Sequence, residues 1–169
     1  MNLKQFLKLT AVSIFTYGIC FFLIKGLNSC IVPVIEETLG AFVVVALFSS
    51  ALSFALFAFT DGITKDIASL KDKFDSSKFE AAVEALAKLK KEVLSNAFLI
   101  LLLFLVERTA KGGMIASSGG NTDESQMMIL ILLSLRMTCF LISFIAIISQ
   151  LRGFLTAVDF RSLVSRAKR

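Results

Sequence analysis

Residues 38–60 read TLGAFVVVALFSSALSFALFAFT, a stretch without one charged side chain. As a helix it rises about 34 Å, enough to cross the roughly 30 Å hydrocarbon layer of a bilayer. A soluble core helix does not need so long an uninterrupted apolar run, so this stretch sets the fold class: helices solvated by lipid. The remaining apolar runs follow the same reading. Leu9–Ile24 is uncharged, and a helix there can continue past Lys25 toward Val32, with Pro33 expected to stop it. A third run starts near Val93, and Gly112-Gly113 is expected to mark its end. A fourth extends from Gln126 to Leu151, interrupted by Arg136. The expectation is an all-α chain forming one integral membrane domain, a four-transmembrane-helix bundle with spans at about 9–32, 38–60, 93–111 and 126–151.

Composition agrees with a membrane protein. The chain is 56% hydrophobic and 18% charged, with a mean hydropathy of +0.81, whereas soluble domains carry about 25% charged residues. The deficit is uneven: charges crowd between the apolar runs. The longest polar stretch, residues 61–92, is too short to bury a core of its own. Lys4 and Lys8 before an apolar run resemble a signal peptide, and Leu27-Asn28-Ser29-Cys30 resembles a lipoprotein cleavage box. Asn28 fits that box poorly and Lys25 intervenes, so the segment is read as a retained span.

The net charge is +5, and its distribution sets an expected topology. Two basic residues precede span one, seven lie between spans two and three, and five follow span four. The opposite side holds Lys25, Arg108 and Lys111. By the positive-inside rule both termini and the 61–92 segment face the cytoplasm. That segment carries seven acids beside its seven lysines, which argues against direct nucleic-acid binding. It reads as a helical hairpin extending spans two and three. Ile63, Ile67, Leu70 and Phe74 make one apolar stripe, and Phe79, Val83, Leu86, Leu89 and Val93 another. Asp75-Ser76-Ser77 is the break, and Ser77 with Glu80 fits a capping box. The tail, residues 152–169, interleaves apolar side chains with Arg152, Arg161, Arg166, Lys168 and Arg169 as a basic extension of span four. Arg161, Arg166, Lys168 and Arg169 are candidate contacts to anionic membrane lipids.

Histidine is absent, which excludes imidazole acid–base chemistry and His-based metal sites. Cys20, Cys30 and Cys139 form no pair and no zinc spacing. No catalytic cluster, metal site or cofactor motif is present, so a non-catalytic role is expected. Three charges from three spans fall at one depth, counted from the cytoplasmic interface: Arg136 at about 24 Å, Glu107 at about 22 Å and Lys25 at about 25 Å. An arginine inside a span must face protein or water. The layer therefore gates a pore, relays a signal or binds a ligand, or it reduces to a structural Glu107–Arg136 pair that orients two helices. Ala46, Ser49, Ser50 and Ser53 form a small-residue face, suited either to an oligomer interface or to contact within the bundle. Glu36 and Glu37 could attract cations, or simply end a helix in water.

Two functions remain open. One is a homo-oligomeric membrane sensor or anchor that docks a cytoplasmic protein through Phe74, Phe79, Leu86 and Leu89. The other is an ion channel or pore lined by the charge layer. In size, four spans, short outer loops and a charged cytoplasmic hairpin, the chain resembles the KwaA membrane subunits of bacterial Kiwa antiphage systems. The resemblance covers the layout and carries no residue role. It implies an oligomer of the bacterial inner membrane that senses phage attack and recruits a cytoplasmic effector.

Overall fold

The computed structural model describes residues 3–26, 32–69, 76–120 and 123–167. Every element among them is helical: α1 (Leu3–Gly26), α2 (Val32–Gly40), α3 (Phe42–Ala68), α4 (Ser76–Ser117) and α5 (Asp123–Ala167). Three runs are long and apolar enough to cross a membrane: Val32–Ala68, which joins α2 and α3, then Phe79–Ser117 and Asp123–Ser162. The apolar part of α1, Thr10–Gly26, is shorter. Many large apolar side chains face outward, among them Phe15 at 70%, Phe22 at 75% and Phe54 at 80% exposure. Water would penalise such a surface and lipid would not. Together these features point to a membrane protein.

Three boundaries differ from the sequence reading. Pro33 does not close a helix that begins near Leu9; it sits in the first turn of α2, where its missing N–H costs no helical bond. The 38–60 run is divided at Ala41, the single turn residue between α2 and α3. Helical bonding carries across that turn, since the Val45 amide donates to the Ala41 carbonyl at 3.1 Å. Gly112-Gly113 does not end α4, which continues to Ser117. Neither glycine has a positive φ. A Cβ at Gly113 would lie 3.3 Å from Leu132 Cδ1, so this glycine serves a close approach between α4 and α5. The expected continuity of the second hairpin arm into span three does hold, as α4 is unbroken from Ser76. The side chain of Ser77, proposed as a cap, lies outside the described residues, as does Cys30.

The chain divides into two compact units, to which α3, α4 and α5 each contribute. The first comprises Met1–Ala46 and Leu101–Ile145. Its core is Ile24, Leu39, Met114 and Leu133, with Val32, Ile35, Met137 and Phe140 packed around it. Phe42, fully buried, meets Phe104 and Phe140 edge-on at 6.0 and 5.8 Å. Edge-on aromatic pairs of this kind stabilise beyond the area they bury.

The second unit comprises Leu47–Ile100 and Ala146–Arg169. Ile63 and Ile67 of α3, Leu86 and Leu89 of α4, and Ala157 of α5 form its core. The two expected apolar stripes do meet, but a third helix closes over them. Ala157 is fully buried, and a Cβ at Gly153 would lie 2.8 Å from Leu89 Cδ1. This portion is a three-helix bundle, because a two-helix hairpin covers only one side of each arm. The serine face of α3 is used within the chain. Ser49 donates to Gln150 Oε1 at 3.3 Å, and Gln150 Nε2 donates to Ser53 Oγ at 2.8 Å.

Five buried hydroxyls are satisfied within their own helices. Ser53, Thr60, Ser134, Thr138 and Ser143 each donate to the carbonyl four residues back, at 2.7 to 2.9 Å. This back-bonding lets serine and threonine sit in apolar surroundings at little cost. The two buried charges, Glu107 of α4 and Arg136 of α5, meet across helices instead.

Candidate functional site

Glu107, Ala110 and Met114 lie on one buried stripe of α4, at helical spacings of three and four. Leu133, Arg136 and Cys139 make the matching stripe of α5. Where the stripes meet, Arg136 is 2% exposed and Glu107 is fully buried. Arg136 Nε donates to Glu107 Oε1 at 2.9 Å, the length of a charge-assisted bond. Arg136 Nη1 points at the Met114 sulfur, 3.8 Å away. It also lies 4.0 Å from Oε1 of Glu36, on the short helix α2. Arg108 Nε comes within 3.3 Å of Glu107 Oε2, and its guanidinium lies 5.2 Å over the Phe104 ring. Neither Oε2 nor Arg108 Nε completes a hydrogen bond among the described residues.

The network thus contains two carboxylates and two guanidiniums, and its charges sum to zero. Chemically it neutralises buried charge inside one chain and ties α2, α4 and α5 together. Lys25, placed by depth in the same layer, is exposed and forms no ion pair with Glu107 or Glu36. Depth had grouped three residues, and the fold joins two of them. Lys25 lies in the last turn of α1, where a long flexible side chain extends to the surface.

The proposed docking residues fall elsewhere. Leu86 and Leu89 belong to the three-helix core, at 0% and 9% exposure, and Phe79 packs half-buried against it. They are enclosed by α3 and α5, so no free apolar stripe is offered by them. Phe74 lies outside the described residues. Among the tail cations, Arg161 is exposed, with its guanidinium 5.2 Å over Phe59. Arg166 lies on α5 with its side chain outside the described set, as do Lys168 and Arg169 altogether.

Three features escaped the sequence reading. Glu36 reads locally as a helix end or a cation attractor. Its approach to Arg136 depends on the placement of α2, which no local pattern encodes. The Ser49–Gln150–Ser53 contact had a signal, the lone amide in the apolar run of α5. The third is Asp61, which bridges Lys65 at 3.0 Å and Lys90 at 2.6 Å. The Asp61–Lys65 half has the i, i+4 spacing and was readable; the bond to Lys90 is tertiary. Protein-family models, curated proteins and solved structures give no match to this chain.

Proposed function

We propose that the chain is a non-catalytic, homo-oligomeric membrane subunit, a sensor or anchor with four spans and both termini in the cytoplasm. Its bacterial setting and a role in antiphage defence of the Kiwa type rest on the resemblance of layout. The observation that carries the non-conducting reading is the enclosure of Arg136 and Glu107 by one chain. A charge layer that conducts ions must face a water-filled axis. Here the two charges are spent on each other. The cytoplasmic bundle supplies the docking body. Its apolar stripe is filled internally, so a partner would meet the charged outer face of α4, where Glu84, Lys88 and Lys91 are exposed.

The test is purification of the full chain in detergent with the products of neighbouring genes, followed by mass measurement and planar-bilayer recording. Expected are an oligomer that retains a soluble partner and a bilayer without unitary conductance. Reproducible single-channel steps that Glu107→Gln alters would overturn this reading in favour of a pore.

A further inference from the structure

Arg136 has two buried contacts of unequal strength. Its Nε is taken by Glu107, while its Nη1 has the Met114 sulfur at 3.8 Å. A thioether is a weak acceptor for a guanidinium. The stronger acceptor nearby is Glu36 Oε1 at 4.0 Å, roughly 1 Å beyond a charge-assisted hydrogen bond. Glu36 is the half-exposed member of the group, at 45% against 2% for Arg136 and 0% for Glu107. The helix that carries it is already seated: Leu39 is fully buried in the first unit's core, with Val32 and Ile35 beside it.

We propose that Arg136 is shared by two carboxylates, Glu107 holding it from within and Glu36 latching it from the half-exposed side. α2 is then a charge-latched strap over the α4–α5 contact. The inner pair fixes α4 against α5 whether or not the latch is closed. Glu36 is the carboxylate of the network that an outside cation can reach without opening the core, since Glu107 is fully buried, so it is where α2 can be released. Of the neighbouring charged groups, Arg108 of α4 lies against Glu107 Oε2, Lys25 of α1 is exposed and outside the network, and Glu37 of α2 is exposed and forms no ion pair with Arg136. Glu37 is therefore the internal control. The inference depends on this geometry alone and stands whether the protein anchors, senses or conducts.

The experiment uses the full chain in detergent and measures backbone hydrogen exchange by mass spectrometry, together with the thermal midpoint. Glu36→Gln should speed exchange in residues 32–40 by about fivefold, the effect of losing one partly screened ion pair on local opening. It should leave the amides around Glu107 and Arg136 protected, and Glu37→Gln should change neither. In a Glu107→Gln background, Glu36→Gln should lower the midpoint more than it does alone, because two groups that share one partner are not additive. Equal exchange in the Glu36 and Glu37 variants, or additive midpoints, would overturn the proposal. If Glu107→Gln does not fold, the comparison of the two single variants decides by itself. A failed latch would leave the conductance and co-purification readouts unaffected.

Discussion

Arg136 could be singled out from the chain alone, because a guanidinium inside a long apolar run demands a partner. Glu107 was legible as that partner from depth counting, and the 2.9 Å contact joins the same two residues. Glu36 was not legible, since sequence distance says nothing of where a short helix will dock. The energetics give a sharp expectation. Removing one member of a buried pair leaves an uncompensated charge, at a cost of about 3–5 kcal/mol, whereas replacing both with apolar residues is often close to neutral. Glu107→Leu should therefore be strongly destabilising, and Glu107→Leu with Arg136→Met much less so. The charge swap, Glu107→Arg with Arg136→Glu, should recover part of the loss. Thermal midpoints of the purified variants check the order; a double variant as unstable as the single would show that the pair is not what Arg136 answers to.

The apolar runs of the long helices were legible because apolar patterning needs no tertiary information. Their ends were not. Gly112-Gly113 reads locally as a stop, yet α4 passes through both residues. Neither takes the positive φ of a helix stop, and Gly113 lies against Leu132. The two glycines are not equivalent. A Cβ at Gly113 would press on Leu132 at 3.3 Å, while one at Gly112 would meet nothing within 4 Å. Gly112→Ala should then stabilise α4 by about 0.5–1 kcal/mol through reduced freedom of the unfolded backbone, and Gly113→Ala should gain less or lose. Thermal unfolding of the two variants side by side measures the difference. Equal gains would mean that Leu132 does not approach Gly113 as closely as the fold requires. Pro33 carries the same lesson: at a helix boundary its local signal fits a start as well as a stop.

At the scale of the molecule, the distribution of lysine and arginine makes a prediction that the fold does not test. Reporter fusions at Ser76 and after Arg169 should report a cytoplasmic location, and a fusion at Ser118 the opposite side. A Ser76 reporter on the same side as Ser118 would refute the topology, since a chain with an even number of crossings between them cannot carry the proposed hairpin. The same view revises the hairpin itself. Leu86 and Leu89 form its stripe as expected, but α5 returns through Ala157 and Phe160 to complete the core. A stripe that looked available to another protein is closed by the chain's own tail.

The sequence by itself determined the chemical class of the solvent around each helix and the presence of charges needing partners inside the apolar runs. It also located Ile63, Ile67, Leu86 and Leu89 of the second unit's core. These follow from local quantities: run length, periodicity, and the cost of a charge in hydrocarbon. Only the tertiary structure decided who meets whom. It set Gln150 between Ser49 and Ser53, Lys90 on Asp61, and Glu36 within reach of Arg136. It also covered the hairpin stripe with the end of α5. Such pairings depend on the relative rotation and height of separate helices. Packing fixes those through many weak contacts summed over whole faces, and no single stretch of sequence encodes that sum.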